Sequence, residues 1–291
     1  MVTRVRIPEA KLERIAQIGG ISLTWEEGVG ADSQRSVQSP DSPALLREMA
    51  EAAFADDPDA FAEFVSENRH RIRDAALFGE SGEQVTELLV LGYEAGIAGG
   101  SAACMNDLGA LYYMGDLVEQ DYGRARELYE MAATHGCLQS VINLGYVYEY
   151  GRTGEPDYAK AYECYALAAA LTHSSEATYK LGDMYSRGRS VRRDLGRAHA
   201  LWEHSLELAS DYVEQAQPAV RIAKLLIDPN CGDWGMQRDP LRALHLFQVA
   251  EIGLRLDIAD GQTYYRRRLQ EAIEGQERAR ALLEEEGEAL E

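Results

Sequence analysis

From position 45 onward the apolar residues of the chain fall at three- and four-residue spacing, the period that gathers them on one face of a helix. Leu45, Leu46, Met49 and Ala53 form a first stripe, ended by Asp56-Asp57-Pro58, and Phe61, Phe64, Val65 and Ile72 form a second helical stripe that breaks near Gly79. Then the pattern begins to repeat. Leu108-Gly109-Ala110-Leu111-Tyr112 returns as Leu144-Gly145-Tyr146-Val147-Tyr148. The same shift of 36 carries Gly115 to Gly151, Asp121 to Asp157, Ala125 to Ala161, Tyr129 to Tyr165 and Ala132-Ala133 to Ala168-Ala169. A third copy, at a shift of 37, holds Leu181-Gly182, Tyr185, Gly188, Asp194, Ala198 and Trp202. A fourth is degraded: Ala219, Asp239, Ala243, Phe247, Ala250 and Gly253 persist, Ala223 replaces the helix glycine, and Asn230 to Met236 lengthen the loop. Tyr93 and Gly100 match Tyr129 and Gly136, so half a repeat precedes the first full one. Units of this length bury their apolar faces only by stacking on one another.

Each repeat predicts two helices joined by a short loop. In the first, helix A, Cys104, Leu108, Leu111 and Tyr112 share a face, and Tyr112, Tyr148 and Tyr185 read as core. Gly109, Gly145 and Gly182 sit inside helix A, where glycine costs about 1 kcal/mol relative to alanine. Close approach of a partner helix is the compensation a missing Cβ allows. The second helix, B, starts each time at an aspartate, Asp121, Asp157, Asp194 or Asp239, a residue whose carboxylate caps free amides and opposes the helix dipole. Pro240 suits the first helical position, Ala125, Tyr129 and Ala132 form the packing stripe of helix B, and Gly136 stops the first repeat.

These residues resemble the Sel-one-like repeat (SLR) family, a relative of the tetratricopeptide repeats, with the pattern A-x3-LG-x-LY-x2-G followed by D-x3-A-x3-Y/W-x2-AA-x2-G. The match runs from about Leu89 to Gly253. The resemblance implies an all-α, right-handed superhelical α/α solenoid of SLR/TPR-like repeats with helical caps, in which the A helices line the concave side. The expected organisation is a poorly structured segment over 1–40, capping helices over 41–88, the repeat array over 89–254, and a C-terminal capping helix with an acidic tail over 255–291. Within the first segment, Glu9 to Ile18 suggests a short amphipathic helix, Ile21 to Trp25 a short strand or extended piece, and Gly28 to Pro40 a polar linker. Met1 to Pro40 could also fold back into the groove as an internal ligand. Gly28-Val29-Gly30 lacks the third glycine and the strand-to-helix context of a phosphate loop. From Asp257 the chain predicts one long helix with Tyr264, Tyr265, Leu269, Ile273 and Leu282 as packing residues. Its end carries Glu284, Glu285, Glu286, Glu288 and Glu291, either a solvated terminus or an arm for a basic partner.

Composition narrows the function classes. A net charge of −20 disfavours nucleic acid and anionic membrane and favours basic or neutral partners. No apolar run has the length of a signal peptide or membrane span, and Cys104, Cys137, Cys164 and Cys231 show no metal-type spacing. A reducing cytoplasm fits, with the thiols as small core residues. The six histidines form no zinc motif; His199 and His204, five apart, do not share a face, while His135 is placed to meet the last carbonyls of its helix. No nucleophile, Walker or kinase signature occurs, so we expect no enzyme activity, no cofactor and no metal.

What remains is surface. Relative to the helix A glycine, core positions fall at −5, −1 and +3, and positions −6, −2, +1 and +5 face away from them. That outward stripe contains Asn143, Tyr146 and Tyr150, then Lys180, Asp183 and Arg187, then Arg221 and Lys224. The resemblance implies that these eight line a partner-binding groove, with Asn143, Lys180 and Arg221 in one row and Tyr146, Asp183 and Lys224 in the next. A polar stripe is also what any solenoid turns to water. Arg187, Arg189, Arg192 and Arg193 crowd one turn, to receive an acidic segment or phosphate, or to neutralise nearby carboxylates. The expected function is a non-enzymatic protein- or peptide-binding adaptor, with a cytoplasmic immunity or inhibitor protein against a basic toxin or effector as the alternative. Self-association through an exposed end is a further expectation.

Overall fold

In the computed structural model, residues 7–22 and 44–288 are described; the linker and glycine pair expected over Gly28 to Pro40, and all but the first two residues of the extended piece expected over Ile21 to Trp25, lie outside them. The described residues form fourteen α-helices and no strand, the α/α solenoid class that the repeats predict. The chain divides into two compact units, one of Met1–Val147 with Arg152–Gly154 and one of Tyr148–Gly151 with Glu155–Glu291.

The first unit contains α1 (Glu9–Gly19), α2 (Ala44–Ala53), α3 (Ala60–Glu67), α4 (Arg69–Phe78), α5 (Gly82–Gly99), α6 (Ala102–Met114), α7 (Tyr122–Thr134) and α8 (Leu138–Glu149) as far as Val147. Its core gathers Ile15, Met49, Phe61, Leu88, Tyr93, Cys104 and Leu108. Helix α1 is tied to α5 by Lys11 to Glu94 at 2.5 Å and by Arg14 Nη2 and Nε to Glu87 at 2.6 and 2.7 Å. The single helix expected through Phe61 and Ile72 is two helices. Asn68 leaves helical geometry with φ −108° and ψ 17°, and its side-chain amide donates at 3.0 Å to the carbonyl of Phe64, which also accepts from the Asn68 backbone amide at 3.1 Å.

The second unit contains α9 (Tyr158–Thr172), α10 (Ser175–Arg187), α11 (Leu195–Leu208), α12 (Tyr212–Leu226), α13 (Pro240–Ala259) and α14 (Arg266–Glu288). Tyr179, Trp202, Ile222, Phe247 and Leu254 belong to its core. The long helix expected from Asp257 is interrupted: α13 stops at Ala259, Gly261 takes φ +96°, and a 3-10 turn over Thr263–Tyr265 leads into α14. The reversal needs a left-handed residue, which glycine supplies without strain.

The repeat chemistry is visible in both units. The carboxylates of Asp121, Asp157, Asp194 and Asp239 accept from the amides of Arg124, Lys160, Arg197 and Arg242 at 2.9, 3.0, 2.8 and 2.9 Å. The amides of the same aspartates donate back to Tyr112, Tyr148, Tyr185 and Leu226 carbonyls at 3.0, 2.9, 3.0 and 3.0 Å, closing every A-to-B loop alike. The lengthened fourth loop reaches the same closure around a 3-10 turn over Cys231–Trp234. The helix glycines work as expected, since a Cβ on Gly109 would lie 2.8 Å from the Tyr129 ring and one on Gly182 would collide with the Trp202 indole. Tyr112, Tyr148 and Tyr185, expected in the core, are only half-buried. Their rings instead sit under the cations that follow each cap, Arg124 at 4.9, Lys160 at 5.3 and Arg197 at 4.7 Å. The His135 ring nitrogen lies 3.0 Å from the Met131 carbonyl at the end of α7. Cys104 and Cys231 are buried, whereas Cys137 and Cys164 are half-buried.

Candidate functional site

In the second unit the residues expected on the outward stripe form a charge network around a carboxylate that sequence reasoning passed over. Glu149, in the last turn of α8, has a side chain with no exposure. Its oxygens meet Lys180 Nζ at 2.5 Å, Arg189 at 2.6 Å and Arg187 at 3.3 Å, and accept from the Tyr165 hydroxyl at 3.0 Å. Lys180 is itself 2% exposed, with its ammonium 5.1 Å from the Tyr150 ring centre and 5.3 Å from that of Tyr165. One helical turn on, the buried Asp183 accepts from Arg221 Nε at 2.5 Å and from its terminal nitrogen at 2.7 Å, a bidentate pair. Burial alone would raise this carboxyl, but Arg221, with Lys180 and Arg187 behind it, holds it down to about 2. The Arg221 guanidinium also lies 4.7 Å over Tyr179 and donates to the Gln217 carbonyl and side-chain oxygen at 2.8 and 2.9 Å. The side-chain nitrogen of Gln217 is buried with no hydrogen-bond partner.

The expectation that Lys180 and Asp183 face the solvent is therefore corrected. Each charge is matched by an opposite one on the neighbouring repeat helix, and matched charges tolerate burial. The C-terminal segment contributes to the cover. Tyr265 packs against the core cluster that holds Tyr179, and Glu271 on α14 takes Lys224 Nζ at 2.5 Å and Arg268 at 2.8 Å. Burial, with Arg221 nearby, lowers the Arg268 guanidinium below its usual value. What reaches solvent is the edge: Tyr150, 47% exposed, Arg187 with 41% of its side chain exposed, Arg189 and Lys224. Arg189 also covers Tyr158 at 4.8 Å.

The first unit keeps the beginning of the stripe. Asn143 donates to Asn106 at 3.0 Å and Asn106 to Asp107 at 3.0 Å, and Asn143 and Tyr146 are half-buried. Burial raises the Asp107 carboxyl, with the Asn106 amide opposing it. A cluster that the stripe did not predict lies beside these residues in sequence: Arg152 donates to the Tyr113 hydroxyl at 3.1 Å and covers the Tyr113 and Tyr122 rings at 5.6 and 5.1 Å.

Chemically this is a set of paired charges and aromatic rings, most of the charges carried by helix A backbones, with Tyr158 and Tyr165 from α9, Arg189 from the turn after α10, and Arg268 and Glu271 from α14. Among the described residues no three His, Cys, Asp or Glu side chains come together to hold a metal ion, and no helix is long and apolar enough to cross a membrane. Glu149 was missed because it falls at +4 from the helix glycine, between the core set and the outward set. The one sequence signal was indirect, the crowd of arginines whose balancing carboxylate had to lie somewhere.

Comparison with known proteins places the repeats. Four consecutive stretches, 102–137, 139–173, 175–209 and 230–250, match the Sel1 repeat model. Among solved structures the chain is similar to a Sel1 repeat protein from Oxalobacter formigenes, at 21% identity and a TM-score of 0.49, over 71% of this chain and 79% of that one. It is also similar to c5321, described as a protective antigen present in uropathogenic Escherichia coli strains and displaying an SLR fold, at 21% identity and a TM-score of 0.46. That match covers 81% of this chain and 52%, about half, of the other. No curated protein matches the chain.

Proposed function

The chain carries Sel1 repeats, a class that generally serves as a protein-interaction scaffold, and from that premise we propose a non-enzymatic adaptor that holds a protein or peptide on its helix A stripe. The observation that carries the reading is the Glu149 network. Burying an ion costs several kcal/mol before its partner repays it, so such a network is weak evidence for stability alone. It does fix side chains. Lys180 and Arg187 share one buried carboxylate, and Tyr150 rests against Lys180, so an aromatic ring and a guanidinium stand at the surface with their freedom already lost. Binding to a pre-ordered surface forfeits less entropy, about 0.5–1.5 kcal/mol for each side chain already immobilised. Tyrosine and arginine are also the side chains that anchor interfaces. In this reading Tyr150, Arg187 and Lys224 in the second unit touch the partner. Lys180, Asp183 and Arg221 are positioning residues beneath them.

The test is a photo-crosslinking amino acid placed at position 150, with the same group at position 163 on helix B as control. We expect one discrete crosslinked protein from position 150 in a lysate of the source cell and none from position 163. Equal labelling from both positions, or none from position 150, defeats the reading.

A further inference from the structure

The charge of the whole chain and the charge of its candidate site point in opposite directions. At −20 overall the protein suits a basic or neutral partner. At physiological salt, however, charges beyond about 8 Å are largely screened, so the local balance decides. Around the Glu149 network two carboxylates, Glu149 and Asp183, face four cations, Lys180, Arg187, Arg189 and Arg221. The turn that joins α10 to α11 adds Arg192 and Arg193, both exposed, and among the described residues neither forms an ion pair. The next acidic residue, Asp194, is committed to capping α11 through the amide of Arg197.

The turn is also rigid. Gly188 and Ser190 take φ +66° and +61°, Arg189 N donates to the Met184 carbonyl at 3.0 Å, and Asp194 N to the Tyr185 carbonyl at 3.0 Å. Three of its guanidinium groups hang from two anchors. Arg187 and Arg189 are held by Glu149, and Arg193 Nε donates to the Ser186 carbonyl at 3.1 Å. Arg187 and Arg189 converge on one point, and Glu149 already fills it, which leaves no gap there for a phosphate. Arginines spread along a turn beside Tyr150 and Tyr158 suit several carboxylates spaced along a chain.

We propose that the arginine turn Arg187–Arg193, with the Tyr150 edge, recognises an acidic, glutamate- or aspartate-rich peptide segment of a partner protein. The inference rests on the scaffold reading and names the partner's chemistry. Association is steered by charge and falls with salt.

The experiment is fluorescence anisotropy at about 0.15 M salt, where the local charge decides, with a fluorescein-labelled octaglutamate peptide, and with octaglutamine and octalysine peptides as comparisons. The full chain is expected to bind octaglutamate alone, with affinity falling as salt rises. Arg192→Glu/Arg193→Glu, two exposed residues outside the buried network, is expected to weaken binding by about tenfold or more while circular dichroism stays unchanged. Arg47→Glu/Arg69→Glu, the same charge change on exposed positions of the first unit, is expected to leave it within about twofold. Octaglutamate binding no better than octaglutamine, equal losses in the two double variants, or complete displacement by inorganic phosphate overturns the proposal. A partner crosslinked at position 150 together with no octaglutamate binding leaves the scaffold standing and removes only the acidic-peptide assignment.

Discussion

Replacing Glu149 by glutamine tests how the second unit is held together. The amide keeps the volume of the side chain and still accepts from the Tyr165 hydroxyl, so what disappears is charge. Arg187 and Arg189 have 41% and 28% of their side chains exposed and turn to water, at little cost. Lys180, at 2%, has no such escape. Breaking a buried pair by removing one partner costs about 3–5 kcal/mol, because the remaining charge is stranded. The nearby Asp183 carboxylate softens this, and the expected loss for Glu149→Gln is about 2–4 kcal/mol. Lys180→Met leaves Glu149 with two arginines and should cost about 1–2 kcal/mol. The double variant, which removes both buried charges, should lie within about 2 kcal/mol of the parent, a coupling of at least about 1 kcal/mol. Urea unfolding followed by Trp202 and Trp234 fluorescence, in a Trp25→Phe background, reads the second unit alone. A Glu149→Gln loss below about 1 kcal/mol, or a double variant equal to the sum of the singles, would refute the reasoning.

Other outcomes follow from the same geometry. Gly182→Ala adds a methyl against the Trp202 indole and 3.1 Å from the Ala198 carbonyl, so despite its gain in helix propensity it should destabilise by about 1–3 kcal/mol in the same urea assay. Removing the cap with Asp194→Ala should cost about 1 kcal/mol, whereas Asp194→Asn should recover most of it. Asp183 is held at about 2, below its usual 3.8, so its contribution is complete above about pH 4 and lost as pH falls toward 2. Acid titration of Asp183→Asn should show a shallower loss in that window. Asp257 behaves oppositely, its carboxyl pushed up to about 6 by burial and then by Asp260 and Asp211, so ionising it costs stability as pH rises from about 4 to 6. Asp257→Asn should therefore stabilise by about 1 kcal/mol at pH ~7.5 and change little at pH ~4, read as thermal midpoints.

The fold class, the repeat register, the aspartate caps and the role of Gly109 and Gly182 were all legible in the chain. Each depends on neighbours a fixed number of residues apart, and periodicity exposes such relations directly. Two helix breaks were not legible. At Asn68 one residue leaves helical φ and ψ with its side-chain amide on the Phe64 carbonyl, and at Gly261 a left-handed turn interrupts a pattern that stays amphipathic on both sides. The site was half visible. The outward stripe was placed by helical angle, and Tyr150 and Arg187 do reach solvent. Helical angle says which way a side chain leaves its own helix, and nothing about what another helix brings to meet it. That Lys180 turns onto Glu149 31 residues earlier, and Lys224 onto Glu271 47 residues later, was decided by tertiary packing. Hydrophobic spacing is a local property, but the burial of a charge depends on whether an opposite charge arrives beside it, and that is settled only when the repeats stack.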